Sequence, residues 1–355
     1  MITSGASLYE SISTLTQAGY SVVHVITIVD RLCGGEEYLR GKGYDGKYTA
    51  CLTINSICAH MYYNTKYHNK LALTKIIGRP SRPSSPTRST NSTNSTTCQR
   101  LHRRIYDVQS PLCVAIDSTD PYEVYRIACA VSKEVCMIKI HSDTWIIPED
   151  MPDHANHMQR LADLASTEGF LIMEDRKLAD IGKTNVKQLN GALQIEKYCS
   201  LITVHTFSIT EDMIKARRPG GIEYVVIQDM SHSLGKEMTT FDYQLRRHQE
   251  ITQHGQHGKN TVCGFVTQDA IPYIAARGAI VPSPLPLYMI PGISNEITAE
   301  RDQRYITIAE AFARMADIII VGRDICNSDD PGLKAREYKE LAWADYKAEG
   351  KKELA

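Results

Sequence analysis

The run Glu174-Asp175-Arg176-Lys177-Leu178-Ala179-Asp180-Ile181-Gly182-Lys183-Thr184 sets two carboxylates around one lysine, directly after the apolar stretch 169–173. In a strand, residues two apart share a face, so Asp175 and Lys177 project together from its C-terminal end while Asp180 falls in the turn that follows. A cation held between carboxylates stays protonated and fixed in place. That suits it to deliver a proton, or to stabilise negative charge forming beside it. In a barrel, the C-terminal end of a strand is also where the chemistry sits.

The elements that must position these groups follow from periodicity. Short apolar runs at 112–116, 135–140, 170–173, 201–204, 224–227, 261–266, 285–290 and 318–321 alternate with amphipathic stretches at 121–131, 154–167, 185–193, 211–217, 241–253, 306–316 and 332–347. Near-continuous apolar strands separated by helices imply a parallel sheet covered on both faces, and eight repeats predict a closed (β/α)8 TIM barrel. Polar residues then gather at one mouth: Asp117 after the first strand, Lys139 and His141 at the end of the second, Asp175 and Lys177 after the third. His205, Asp229, Ser231, Pro291-Gly292 and Gly322-Arg323 continue the ring.

The 355 residues suffice for one large domain and an appendage, and 43% hydrophobic composition is ordinary for a globular chain. A formal net charge of -1 offers no global attraction to nucleic acid or membrane, so neither is expected as a partner. The start lacks a basic region followed by a long apolar one, and no run of 18 apolar residues occurs, which predicts a soluble, cytoplasmic protein. Ten cysteines are scattered without a Cys-x-x-Cys pair; Cys113, Cys136 and Cys263 lie in apolar runs and are expected to be buried, reduced thiols. His254 and His257 belong to a polar loop rather than to a metal site.

Residues 79–97 contain no large apolar side chain and are expected to form a polar, flexible linker. Before it, a helix at 7–18, a strand at 22–29 and an apolar segment at 48–57 suggest a partial doubly wound α/β fragment, too small to cover its own sheet edges. The predicted organisation is a fragment at 1–65, a linker at 66–97 and a barrel at 98–348.

Four motifs carry a family resemblance. Residues 170–184 surround an Asp-x-Lys-x-x-Asp core, and Met137-Ile138-Lys139-Ile140-His141, Gln303-Arg304-Tyr305 and the segment 317–323 follow in order. From about residue 112 to 346 the chain resembles the orotidine 5'-monophosphate decarboxylase family, most closely the form fused in eukaryotic UMP synthase. The resemblance implies cofactor-free and metal-free decarboxylation of orotidine 5'-phosphate to UMP, with Lys177 protonating C6, Asp175 beside the departing carboxylate and Lys139 completing an alternating array of charge. It implies an obligate homodimer in which Asp180, the Ile181 backbone and the Thr184 hydroxyl enter the neighbouring site. Asp117 and Lys139 would hold ribose hydroxyls, with His141 beside them. Ser231 and the backbone near Pro291 would face the pyrimidine, and Gln303, Tyr305, the Gly322 amide and Arg323 the phosphate.

Departures from the family pattern are Ala115, Lys183, the segment 206–210 without a glycine-rich turn, and the loop 231–236 beyond its serine. They bear on loop closure and dimer packing more than on chemistry. Thr3-Ser4-Gly5, Val29-Asp30-Arg31 and Gly34-Gly35 resemble the last part of orotate phosphoribosyltransferase. No acidic pair precedes Thr3, so no transferase activity is expected. The alternatives are a metal-dependent sugar-phosphate synthase or decarboxylase on the same barrel, and a non-catalytic remnant of UMP synthase.

Overall fold

The computed structural model describes residues 6–19, 21–22, 25–30, 35–44, 48–53, 95–210, 213, 221–231, 241–255, 261–276, 286–295 and 305–351. Two compact units divide the chain, residues 1–80 with 271–281 and the remainder.

In the first unit, α1 (Ala6–Gln17) precedes β1 (Val25–Asp30), α2 (Gly35–Gly41) and β2 (Tyr48–Thr53). The two strands pair in parallel with Val25 opposite Tyr48. Ile12, Val25 and Leu39 form a small core, with Leu8, Tyr9, Val22 and Tyr44 packed against it. Thr3, Ser4, Gly5, Arg31 and Gly34 lie outside the described residues, as do residues 54–94 with most of the expected linker.

The second unit is the expected barrel. It begins with α3 (Thr97–Val108), a helix that composition alone did not reveal because its start is continuous with the polar stretch. Thr96 and Gln99 form a reciprocal capping box, and the buried Glu223 carboxylate accepts the next free amides, Thr97 at 2.8 Å and Cys98 at 3.0 Å. A carboxylate at a helix N-terminus satisfies orphan donors and complements the dipole. Thus the last residues of the linker sequence start the barrel.

Eight parallel strands follow: β3 (Leu112–Ile116), β4 (Met137–Ile140), β5 (Leu171–Leu178), β6 (Leu201–His205), β7 (Glu223–Ile227), β8 (Val262–Val266), β9 (Leu287–Pro291) and β10 (Ile318–Val321). They close in chain order, with β10 pairing β3 through Ile320 and Cys113. Every residue of β3, β4, β7 and β10 is buried, which is why these strands read as apolar runs rather than alternations, interrupted by Lys139 in β4 and Glu223 at the start of β7.

Helices α4 (Pro121–Val131) and α5 (His154–Glu168) lie where amphipathic periodicity places them, capped by Asp120 and Asp153. Gly169, at φ 82°, ends α5 and turns the chain into β5. After β5 come α6 (Gly182–Asn190) and the single turn α7 (Ile195–Tyr198); α6 starts three residues before its predicted position. Of the helix expected at 211–217, only Met213 falls within the described residues. Helix α8 (Phe241–Gly255) precedes β8, and α9 (Ile271–Ala276), next in sequence, is grouped with the first unit. Helix α10 (Ile308–Ala313) is shorter than the expected 306–316, because Thr307 and Glu310 cap its start and Ile306 bridges to Ile293. Helices α11 (Arg323–Cys326) and α12 (Pro331–Lys351) complete the barrel.

Cys98, Cys113, Cys136, Cys199 and Cys263 are buried free thiols. Among the described residues no helix is long and apolar enough to cross a membrane.

Candidate active site

Strand β5 runs five residues beyond its predicted end and carries the Asp-x-Lys motif within it. Its pairing with β6 shifts between Glu174 and Leu178, and Lys177 within that irregularity adopts φ 51°. A non-glycine residue in the left-handed region costs about 1–3 kcal/mol and persists only where its surroundings hold it there. Thr203 on β6 does so, its Oγ1 accepting the Lys177 amide at 2.9 Å. Asp175 and Lys177 do meet, but through a bulge rather than by the regular pleat.

The Asp175 carboxylate is the hub. Its Oδ2 lies 2.9 Å from Lys139 Nζ, 2.8 Å from Lys177 Nζ and 3.3 Å from His141 Nε2, while Oδ1 accepts the Thr203 hydroxyl at 2.8 Å. Lys139 Nζ also reaches Asp117 Oδ1 at 3.0 Å and His141 Nε2 at 3.1 Å. The imidazole accepts from the ammonium when its proton is on Nδ1, and donates to Asp175 when protonated on Nε2. The result is a chain of alternating charge, Asp117, Lys139, Asp175, Lys177.

Burial opposes ionisation of both central groups, but pairing prevails. Desolvation alone would raise the Asp175 pKa; the charges of Lys139 and Lys177 and the hydrogen bond from His141 outweigh it and hold the carboxyl well below the usual range. Desolvation likewise pulls Lys139 down, and Asp175 with Asp117 pushes it above the ordinary lysine value. Lys177 is the most open of the three, with 32% of its side chain exposed against 11% for Lys139 and 10% for Asp175. Both ends of the array, Asp117 and Lys177, are thus more open than its centre.

A cavity of about 240 Å³ fills that mouth. Asp117, Lys139, His141, Asp175 and Lys177 line one side. Ser231 and Pro291 line it from the ends of β7 and β9, and Tyr305, Gly322 and Arg323 close the far wall. The Arg323 guanidinium lies 5.7 Å from the Tyr305 ring centre. Asp324 beside it accepts hydrogen bonds from Ser294 and Tyr338, which anchors α11. A guanidinium and a backbone amide at the start of α11 offer a wall suited to a phosphate.

Ten of the residues expected at the site thus converge on one cavity. Asp180, Ile181 and Thr184 do not line it; Asp180 is exposed, caps the Ile181 amide at 2.6 Å and is tied to Asn185, and Ile181 is 71% exposed. His205 stays outside the lining and stacks on Phe207. Gln303 and residues 232–236 lie outside the described residues. Thr203 was missed, although its place in an apolar strand, two residues before His205, marks it as facing the barrel interior. Among the described residues no three His, Cys, Asp or Glu side chains group as a metal site.

Comparison with known proteins identifies relatives of the chain. Uridine 5'-monophosphate synthase of Bos taurus is 25% identical over 98% of this chain and 73% of its own length. Orotidine 5'-phosphate decarboxylase of Aureobasidium pullulans is 31% identical over 69% of this chain and 86% of its own. A crystal structure of a Toxoplasma gondii protein assigned as an orotidine-monophosphate-decarboxylase superposes with a TM-score of 0.55 at 16% identity, covering 72% of this chain and 98% of that one, and so shares the fold. Residues 110–338 match the model of the orotidine 5'-phosphate decarboxylase / HUMPS family, and the chain belongs to that family.

Proposed function

We propose that the barrel mouth binds orotidine 5'-phosphate and decarboxylates it to UMP, without metal or organic cofactor. The observation that carries this reading is the pair of lysines on one buried Asp175 oxygen, facing a wall with Arg323 and Tyr305 across the same cavity. Phosphate held at that wall fixes the nucleotide with its ring toward the lysines. The bond from C6 to the carboxylate breaks, carbon dioxide leaves, and the electron pair left on C6 takes a proton from Lys177 Nζ. Asp175 repels the substrate carboxylate and is relieved as it departs, while the preorganised ammonium stabilises the developing carbanion. Asp117 and Lys139 hold ribose hydroxyls, with His141 beside them; Ser231 and the Pro291 backbone face the pyrimidine; the Gly322 amide, Arg323, Tyr305 and Gln303 take the phosphate.

Asp180, Ile181 and Thr184, which stand away from the cavity of their own chain, serve the site of a second copy in a homodimer. The exposed side chains of Ile181 and Phe207 near the ends of β5 and β6 favour such a contact. The barrel then spans residues 98–348, joined by a linker at 66–97 to a fragment at 1–65 similar to orotate phosphoribosyltransferase, and the protein works in the cytoplasm.

Purified chain should consume orotidylate, followed by its absorbance, at a rate unchanged by EDTA. Lys177→Ala should lower turnover by about 10²–10⁴-fold or more while retaining UMP binding. An unchanged orotidylate spectrum with folded protein would overturn the assignment, and loss of activity with EDTA would overturn its metal-free form.

A further inference from the structure

A second cavity, of about 420 Å³, opens at the other end of the barrel, where β5 and β6 begin. Arg100, Arg103 and Arg104 of α3 line it together with Asp107, opposite Phe170 and Ser200. The spacing of 3, 4 and 7 residues places all four charged groups on one helix face. Three guanidinium groups therefore converge against one carboxylate.

None of the three is neutralised by an ion pair among the described residues. Arg104 donates Nε to the Val135 carbonyl at 3.3 Å and Nη2 to the Ser132 carbonyl at 3.0 Å, which fixes its plane without cancelling its charge. Arg100 Nη2 lies 3.5 Å from the Ser200 hydroxyl. Half-burial makes the Arg104 charge costly and lowers its pKa from the ordinary arginine value, a cost that a bound anion relieves. Like charges at these spacings disfavour a helix by a few tenths of a kcal/mol per pair, and the nearby carboxylates of Asp107 and Glu168 offset the Arg104 charge only in part.

We propose that this cavity is a binding site for a small polyphosphate-bearing anion. Rigid guanidinium forks match phosphate oxygens in pairs, and with Arg104 held by its two carbonyls, the open forks of Arg100 and Arg103 beside its charge suit an anion that carries more charge than one phosphate monoester. The volume likewise exceeds a single phosphate, while the lining is too charged for an apolar ligand. Ile172 lines this cavity and its neighbour Met173 the mouth, and successive residues of a strand project to opposite faces, so the wall of the barrel stands between them. The two sites are thus separate, and both can be filled at once.

Calorimetric titration of the full chain with inorganic pyrophosphate and with ADP tests this, using Arg323→Ala protein to disable the phosphate wall of the mouth. Saturable 1:1 binding of at least one probe with Kd below about 1 mM is expected, weakening about tenfold or more in Arg323→Ala/Arg100→Ala/Arg103→Ala protein. Affinity about tenfold higher for ADP identifies a nucleoside polyphosphate; equal affinities identify free polyphosphate. Arg103 holds no hydrogen bond within the described residues, so Arg103→Glu on the same background provides a second variant, its fold checked by circular dichroism, and it should abolish binding. Absence of saturable binding by both probes, or binding that Arg103→Glu leaves unchanged, would overturn the site.

Discussion

Glu174 and Asp175 are adjacent on β5 and both buried, yet they hold protons in opposite ways. Asp175 faces the mouth among cations, and its pKa is driven far down. Glu174 points to the other face of the strand, where burial raises its pKa to about 7 and only the Ser142 amide, at 3.1 and 3.2 Å from its two oxygens, offers relief. One residue of register separates a carboxyl whose pKa is lowered from one whose pKa is raised.

The linkage has a definite sign. Glu174 binds its proton more tightly folded than unfolded, so its contribution to stability is full below about pH 4.5 and declines as pH rises toward 7. Glu174→Gln should remove that decline, making the variant more stable than the parent at pH 8 by on the order of 2–3 kcal/mol relative to their difference at pH 5. Asp175 acts in the reverse direction, its contribution being present at neutral pH and lost as pH falls below the ordinary carboxylate range. Denaturant melts at pH 5 and pH 8 measure the difference; parallel pH profiles for parent and Glu174→Gln would refute the assignment.

Thr203 is a positioning residue for the array. Thr203→Val removes the donor to Asp175 Oδ1 and the acceptor for the strained Lys177 amide while keeping volume. Turnover should fall about 10–100-fold, or about 1.4–2.7 kcal/mol, with little change in KM. The acid limb of the pH–rate profile should move up as Asp175 loses a hydrogen bond, and Thr203→Ser should restore both. A Val variant with the parent profile would leave Thr203 with a packing role alone.

Strand order and most of the barrel were legible because doubly covered parallel strands leave unbroken apolar runs, and because Asp120, Asp153 and Gly169 punctuate the helices. The site was legible because strand ends converge in any such barrel, so Asp117, Lys139 and Arg323 could be joined across 200 residues of sequence. Helix α3 was hidden because its capping box is written in the same threonine- and serine-rich letters as the linker. The bulge at Lys177 was hidden too: its backbone conformation is imposed by Thr203 on another strand, a tertiary constraint with no local signature.

At Gly264 the barrel wall leaves no room for a side chain. It pairs with Leu287 between β8 and β9, and a Cβ there would stand 2.2 Å from the Leu287 carbonyl oxygen. Because that obstacle is backbone in a closed ring, relief requires moving a strand. Gly264→Ala should cost about 1–3 kcal/mol or more and lower the melting temperature. An unchanged Tm would mean that β8 and β9 are not in this register.

Asp180 and Lys177 lie three residues apart in sequence, but only Lys177 lines the cavity of its own chain. In the proposed homodimer each site takes Lys177 from one chain and Asp180 from the other, so Lys177→Ala and Asp180→Ala proteins are each inactive for different reasons. Mixing them at equal concentration and allowing exchange gives about half heterodimers, each with one site that carries both defects and one that carries neither. Recovered activity should therefore approach roughly a quarter of the parent rate. Size-exclusion chromatography of the mixture checks that a dimer forms. A dimer with no recovery would show that Asp180 acts within its own subunit, and the loop that carries it would then have to fold over its own mouth.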